Sequence, residues 1–175
     1  MTGNRLVLVL ASIVLVSPVL PSAAKTLVYC TEASPDTFDP AIASGTRDAS
    51  ATALYNRIVE FEPGTTRVRP GLAEKWEVSG DGLTYTFHLR HGVKFHSIDG
   101  FTPTRDFNAD DVLFTFDRQA NTENPFHNYA GRQYIYFDGI GMPGLVAGWL
   151  TLDAYTVVLT PYAPPPQMFS LRARH

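Results

Sequence analysis

A run of alternating apolar and polar residues between positions 76 and 90 constrains the fold of this chain more than any other feature. Trp76 and Val78 flank a glutamate, and after a Ser-Gly-Asp-Gly turn the apolar residues Tyr85, Phe87 and Leu89 alternate with polar ones. A period of two places one side of a strand against a core, and an Asp-Gly pair tolerates the positive φ of a tight turn. The pattern therefore predicts an antiparallel hairpin with one apolar face.

A helix is predicted to begin after Asn108. Asparagine is a good N-cap, and Asp110 and Asp111 follow in the first turn, where the helix dipole favours negative charge. We expect the helix to run to about Ala120 and to be ended by Pro125. Because capping accounts for both aspartates, we do not assign them a role in acid–base catalysis.

Together with shorter segments, the hairpin and the helix predict an α+β fold class, in which antiparallel strands dominate and helices are few. Besides the hairpin, β-rich runs predict strands at residues 25–30, 58–61, 93–96 and 155–160. A short helix is expected across residues 49–57, and the Tyr-, Gly- and Asn-rich stretch 126–144 is predicted to be a long loop.

Composition excludes several classes of protein. Charged residues make up 18% of the chain and its formal net charge is -3, so it carries no basic field that would gather a phosphate backbone, and no nucleic-acid partner is expected. The single cysteine cannot close an intrachain disulfide or build a multi-thiolate zinc site.

The first 24 residues have the pattern of a secretory signal peptide. Arg5 precedes an apolar run at residues 6–16, two prolines break that run, and Ser22-Ala23-Ala24 is a small-residue cleavage site. The apolar run would rise about 16 Å as a helix, roughly half the thickness of a bilayer core. We therefore predict cleavage after Ala24 and a periplasmic chain that begins at Lys25 and does not insert directly into the membrane.

Export changes the interpretation of Cys30. In an oxidising compartment a lone cysteine beside a strand is a buried thiol, a reactive thiol, or half of a bridge whose partner lies elsewhere. The residues themselves leave these three alternatives open.

Other residues are weighed as candidate sites. His88, His91 and His96 are close in sequence and suggest a metal site, but the polar face of a hairpin explains them without a metal, and we assign none. The chain has no nucleophile elbow, zinc-protease helix or phosphate-binding loop of the G-x-x-x-x-G-K-[ST] pattern, so an enzyme is not expected.

The segment Ser44-Gly45-Thr46 differs in kind from these candidates. A glycine between hydroxyl residues in an irregular stretch leaves backbone groups free to meet a ligand. We therefore treat these three residues as candidate ligand-binding residues.

Several blocks of sequence, taken together and in order, resemble one family. These blocks lie at residues 25–30, 38–40, 54–61, 70–79, 81–96 and 107–118. The most specific of them are LAEKW-EVS, DG-TYTFHLR-GVKFH and NADDV-F-FDR. On these blocks, residues 25–163 resemble the N-terminal part of the peptide-binding solute-binding proteins of ABC transporters, family 5.

The resemblance implies a two-lobed clamshell that closes over an extended peptide and delivers it to an inner-membrane permease. It implies that Ser44, Gly45 and Thr46 line the ligand cleft. Family members are much longer, so this chain would be an incomplete N-terminal lobe. The charged groups that fix the ends of a dipeptide would then lie outside it, as would the usual partner of Cys30, which would leave that cysteine unpaired.

The function that the resemblance implies is that of the extracytoplasmic substrate-binding component of a dipeptide or oligopeptide ABC transporter, without a cofactor. The alternative is a haem- or nickel-binding transport protein of the same compartment, since relatives of this family take those ligands. Residues 164–175 differ from the family pattern, which suggests a truncated or frame-shifted product.

Overall fold

The computed structural model describes residues 37–42, 54–129 and 134–164, all of which lie within one compact unit, Thr31–His175. The predicted signal peptide, the strand at residues 25–30, Cys30 and residues 49–53 of the helix predicted at 49–57 fall outside these ranges. Of the described residues of that helix, 55–57 are not helical. The elements of the described part are β1 (Val59–Phe61), β2 (Val68–Pro70), β3 (Ala73–Val78), β4 (Tyr85–Leu89), α1 (Ala109–Ala120), α2 (Ile135–Gly139), α3 (Met142–Leu145), β5 (Val146–Asp153) and β6 (Thr156–Pro161).

The predicted hairpin, β3 and β4, forms one side of a four-stranded antiparallel sheet with the order β3-β4-β6-β5, in which β4 and β6 are the central strands. Trp76 pairs with Phe87 and Val78 pairs with Tyr85, so the apolar residues of both strands share one face. The turn is closed by a hydrogen bond of 2.9 Å from the Ser79 N–H to the carbonyl of residue 84, and the glycine at 82 has a φ of 73°. The prediction of an α+β fold built on this hairpin is confirmed.

The apolar face of the sheet lies against helix α1 and forms the main core. Tyr85, Phe87 and Leu89 are 6%, 4% and 1% exposed, and Val157 of β6 is fully buried beside them. At the β5 edge of the sheet, the ring of Phe116 from α1 stacks on the ring of Trp149, and the two ring centroids are 3.8 Å apart. The period of two in the sequence therefore identified the buried side of β4.

Helix α1 begins where the sequence predicts. The Asn108 side chain accepts a hydrogen bond of 3.0 Å from the Asp110 N–H, and the Asp111 carboxylate accepts one of 2.9 Å from the Asn108 N–H. The helix ends at Ala120, as predicted, but Pro125 is not the residue that ends it: Asn121 caps the last turn by donating its N–H to the carbonyl of residue 117. A backbone hydrogen bond thus closes the helix before the proline is reached.

Loss of the N-terminal cap is expected to destabilise the protein measurably. Asn108→Ala removes the acceptor for one otherwise unpaired N–H of the helix, and we expect a loss of about 1 kcal/mol in the free energy of unfolding. Asn108→Ser is the matched control, because serine also caps helices and should stay near the wild-type value. Urea unfolding followed by circular dichroism measures both, and equal losses in the two variants would contradict the assignment.

Two other expectations are corrected. Residues 126–144 are not one long loop: they include the short helices α2 and α3, and strand β5 follows them. Helices of five and four residues are too short to show a 3.6-residue period, so the sequence pattern could not reveal them. Residues 93–96 form no strand. Instead, the carbonyl of Val93 accepts a hydrogen bond of 2.9 Å from the Phe107 N–H at the start of the helix segment.

Across the ranges 37–42, 54–129 and 134–164, no helix has both the length and the apolar character needed to cross a membrane.

Candidate functional site

The predicted ligand segment Ser44-Gly45-Thr46 lies outside the described residues. The described residues that lead into it are 37–42, which form a compact turn. Asp39 organises this turn: its Oδ1 accepts a hydrogen bond of 2.9 Å from the Ala41 N–H, and its carbonyl accepts one of 3.2 Å from the Ile42 N–H. The Asp39 N–H in turn donates to the Thr37 hydroxyl at 3.1 Å. Such side-chain bonds to nearby backbone fix a turn without regular secondary structure.

An ion pair connects this turn to helix α1. Arg118 Nη1 lies 3.1 Å from Asp39 Oδ2 and Arg118 Nη2 lies 3.3 Å from Asp39 Oδ1, so the guanidinium contacts both carboxylate oxygens. Both side chains are shielded, with exposures of 16% for Arg118 and 22% for Asp39. A second contact comes from the Tyr55 hydroxyl, which donates to the Phe38 carbonyl at 2.7 Å.

A small apolar cluster holds the end of the turn. Ile42 is 4% exposed and packs with Tyr134 and Phe137, which are 2% and 5% exposed. The Tyr134 hydroxyl donates to the carbonyl of Phe126 at 2.9 Å. Burial raises the pKa of Tyr134 above its ordinary value, and the negative charge of Asp39 adds to the rise, while Arg118 opposes it. The cluster therefore stays neutral and fixes the last described residue before the predicted ligand segment.

Arg118 itself is held on more than one side. Its carbonyl lies 3.0 Å from Nδ1 of His127, and its guanidinium carbon lies 5.8 Å from the centre of the Tyr134 ring. Within the described part of the chain, Arg118 Nε is buried and makes no hydrogen bond. The contacts of the guanidinium with Asp39 are made by its two Nη atoms. The side chain is therefore directed at the turn and not at solvent.

A second candidate is a polar cleft of about 480 Å³ at the turn between β5 and β6, and its lining includes His88, His91 and Asp153. Its main acid, Asp153, accepts hydrogen bonds from the Tyr155 N–H at 2.7 Å and the Thr156 hydroxyl at 2.9 Å. These bonds, together with the charge of His88, hold the pKa of Asp153 below its ordinary value. The carboxylate closes the turn between β5 and β6, so we interpret this cleft as structural.

The three histidines take separate roles. His88 points to the polar face, where its Nε2 lies 3.4 Å from Glu77 Oε1, while the ring of His91 stacks on Tyr155 with their centroids 3.7 Å apart. His96 is exposed on the connection after β4. Among the residues that the structure describes, no group of three or more His, Cys, Asp or Glu is arranged to hold a metal ion.

Reasoning from the sequence did not single out Asp39 or Arg118 as a pair. Each belongs to a family-like block, Phe-Asp-Pro at 38–40 and Phe-Asp-Arg at 116–118, but 79 positions separate the two side chains. A pair so far apart leaves no periodic signal in one sequence. The arrangement can hold the backbone in a defined direction, which is what a binding site for an extended ligand requires.

Comparison with known proteins supports the family resemblance. The family model of the bacterial extracellular solute-binding proteins, family 5 (Middle), matches residues 67–175. The chain is 60% identical to the dipeptide-binding protein of Escherichia coli (strain K12) over 146 residues, which are 81% of this chain and 27% of that protein. It is 50% identical to heme-binding protein A of Haemophilus influenzae over 141 residues, covering 79% of this chain and 26% of that protein.

A solved structure agrees with the fold as well as with the sequence. The crystal structure of a dipeptide-binding protein from Pseudoalteromonas sp. SM9913 in complex with Met-Leu matches with a TM-score of 0.74 at 38% identity. The match covers 82% of this chain and 29% of that one. The chain thus spans between 26% and 29% of the length of these three relatives. Because the family model covers more than half of the chain and the fold agrees with it, the chain belongs to the bacterial extracellular solute-binding proteins, family 5.

Proposed function

We propose that this chain is the N-terminal part of the extracytoplasmic substrate-binding component of an ABC transporter for dipeptides or short peptides. The observation that carries the proposal is the identity of 60% over 146 residues to a dipeptide-binding protein. The solved relative with Met-Leu bound, which shares the fold, supports the same ligand class. In this function the chain binds and releases its ligand without turnover, hands it to an inner-membrane permease, and works in the periplasm after removal of residues 1–24.

The proposed ligand contacts of this chain are Ser44, Gly45 and Thr46. Their support is the fixed turn at residues 37–42, which ends on a buried isoleucine two positions before Ser44. A glycine there lets the backbone approach a ligand closely. We further propose that the charged groups that hold the peptide termini lie outside this chain, so that the isolated chain binds dipeptides far more weakly than a complete relative.

The proposal is tested with a chimera in which residues 25–163 of this chain replace the matching part of the Escherichia coli dipeptide-binding protein. Calorimetric titration with dialanine is expected to give a dissociation constant on the order of 1 µM for the chimera. The isolated chain should give no measurable heat at millimolar dialanine. A chimera that folds by circular dichroism but does not bind dialanine would contradict the proposal.

The contribution of the segment itself is measured in the same chimera. Gly45→Val places a branched side chain where the backbone is proposed to meet the peptide, and we expect affinity to fall by at least about tenfold, as for the loss of one good hydrogen bond. Gly80→Val, in the exposed hairpin turn, is the control and should leave affinity unchanged. An equal affinity in both variants would mean that Gly45 does not contact the peptide.

Haem is the second candidate ligand, because the chain is 50% identical to a heme-binding protein. Titration of the chimera and of the isolated chain with haem, followed by absorbance, separates the two ligand classes. A saturable spectral change together with no dialanine heat would favour haem.

A further inference from the structure

We propose that the pair Asp99-Gly100 is a site of spontaneous covalent modification, at which the aspartate isomerises to isoaspartate through a succinimide ring. The chain contains three Asp-Gly pairs, at positions 81–82, 99–100 and 138–139, and all three lie within the described residues. The dipeptide is the same in each, so its surroundings decide which pair reacts. The proposal concerns the polypeptide itself and is independent of the ligand function proposed above.

The reaction needs no co-reactant other than water. The backbone nitrogen of Gly100 attacks Cγ of the protonated Asp99 carboxyl group and gives up its proton, a C–N bond forms, and the hydroxyl group leaves as water. Water then adds to one of the two ring carbonyls. Opening at Cγ restores aspartate, whereas opening at the carbonyl of the original peptide bond leaves the backbone running through Cβ and Cγ. Glycine favours ring closure, because it has no side chain to hinder the attacking nitrogen.

The pair at 99–100 is the exposed tip of a small hairpin. Ile98 and Phe101 flank the pair and exchange two backbone hydrogen bonds of 3.0 Å. Among the described residues, neither the Asp99 carboxylate nor the Gly100 N–H has a hydrogen-bond partner. Gly100 has a φ of 81°, and beyond its chain neighbours no described atom lies within 4 Å of where its Cβ would stand. The attacking nitrogen and the carboxyl group are therefore free to approach each other.

The pair at 81–82 is held by its own turn. Asp81 Oδ1 accepts hydrogen bonds from the Ser79 hydroxyl and from the Leu83 N–H, the second at 2.9 Å. The Gly82 N–H, which belongs to the nitrogen that would attack, donates to the Ser79 carbonyl at 2.9 Å. The hydrogen bond from Ser79, followed by that from Leu83, holds the pKa of Asp81 below its ordinary value. Because the ring closes from the protonated acid, a carboxyl group that stays ionised reacts more slowly.

The pair at 138–139 is restrained by helix α2. The Asp138 N–H donates to the Tyr134 carbonyl at 3.0 Å, and the Ile140 N–H donates to the Tyr136 carbonyl at 3.0 Å. A succinimide ring forces the aspartate to a ψ far from the helical value, so the helix has to open before Gly139 can attack. Of the three pairs, the one at 99–100 is therefore the least protected.

Isomerisation is expected to break the small hairpin and to leave the rest of the fold intact. An isoaspartate adds one methylene group to the backbone of a loop of two residues, so the two hydrogen bonds between Ile98 and Phe101 cannot both be kept. The base of the connection is closed independently. The Lys94 ammonium lies 2.6 Å from the Asp106 carboxylate, and the Phe107 N–H donates to the carbonyl of residue 93 at 2.9 Å.

Incubation of the full chain in heavy-oxygen water tests the inference. Each opening of a succinimide leaves one solvent oxygen in the peptide, and trypsin digestion in ordinary water then separates the three pairs into peptides 95–105, 76–90 and 133–172. In mildly acidic buffer, we expect mass spectrometry to show uptake in peptide 95–105 at least about tenfold faster than in 76–90, where ring closure first breaks more than one hydrogen bond. Equal uptake in the three peptides, or faster uptake in either of the others, would overturn the inference.

The product is identified in the same peptide. Electron-transfer fragmentation distinguishes isoaspartate from aspartate, although their masses are equal, and we expect isoaspartate to accumulate at position 99. Heavy oxygen in peptide 95–105 without isoaspartate would contradict the proposed reaction.

Two substitutions test the chemistry and its structural control. Asp99→Glu keeps the charge but requires a six-membered ring, which closes far more slowly, so uptake in 95–105 should fall by at least about tenfold, to the level of a protected pair. Ser79→Ala removes the hydroxyl donor to Asp81 and should raise uptake in 76–90 by about fivefold, as for the loss of one hydrogen bond. Ser79→Thr keeps the hydroxyl and is the matched control. Undiminished uptake in Asp99→Glu, or equal uptake at 76–90 in the two Ser79 variants, would overturn the inference.

Discussion

Gly71→Ala is expected to lower the free energy of unfolding by about 3 kcal/mol, near the upper end for overpacking in a well-packed region. A Cβ at position 71 would collide with the carbonyl oxygen of Arg57 and would lie 2.9 Å from the carbonyl oxygen of Ile58. Neither atom can move freely, because Leu72 donates its N–H to the first carbonyl at 2.7 Å and Ala73 donates to the second at 2.8 Å. The substitution therefore forces apart two backbone segments that hydrogen bonds hold together.

Gly80→Ala is the matched control for this prediction. Position 80 lies in the hairpin turn, has a φ outside the left-handed region, and has no atom within 4 Å of an added Cβ. Its free energy of unfolding should stay within about 0.5 kcal/mol of the wild-type value. Urea unfolding of the three proteins gives the comparison, and similar stability of Gly71→Ala and Gly80→Ala would show that the close approach at Gly71 is incorrect.

Leu89→Ala is expected to destabilise the protein by about 2 to 5 kcal/mol, because it removes buried methyl groups and leaves a cavity that the sheet fills only in part. Leu89 is 1% exposed and lies in the core cluster with Phe87, Phe107 and Val157. It is one of the largest side chains that the structure buries fully. The loss should appear as a lower urea midpoint.

Leu152→Ala removes the same atoms from the same sheet and is the control for Leu89→Ala. Leu152 lies on the edge strand β5 and is 65% exposed, so its truncation should cost no more than about 0.5 kcal/mol. The difference between the free energies of unfolding of the two variants separates the effect of burial from the effect of residue type. Comparable losses in both would mean that the alternating face of the hairpin is not the core.

Short-range patterns predicted the parts of the fold that depend on neighbouring residues. The hairpin and the capped helix were both recognisable, because alternation, an Asp-Gly turn and an N-cap act over a few positions. The helix end near Ala120 was also predicted, but its cause was not, because Asn121, a weaker signal than Pro125, caps the last turn through its backbone. The short helices α2 and α3 were missed because four or five residues show no period.

The candidate site was predicted less completely. The ligand segment at 44–46 came from a local feature, a glycine between two hydroxyl residues, and it stays a prediction. Its support was not visible in the sequence, where Asp39 and Arg118 belong to two separate blocks of the family resemblance, 38–40 and 107–118. Because 79 positions separate the two residues, no local pattern pointed to a contact between them.

The sequence by itself determined which residues form the hairpin, which of its faces is apolar, and where helix α1 begins, since these follow from periodicity and from bonds between near neighbours. Tertiary structure alone decided that Arg118 contacts Asp39 and that Gly71 lies against the carbonyl oxygens of Arg57 and Ile58. Both contacts depend on how separate segments approach one another in space. That approach is set by packing of the whole unit, and no spacing along the chain encodes it.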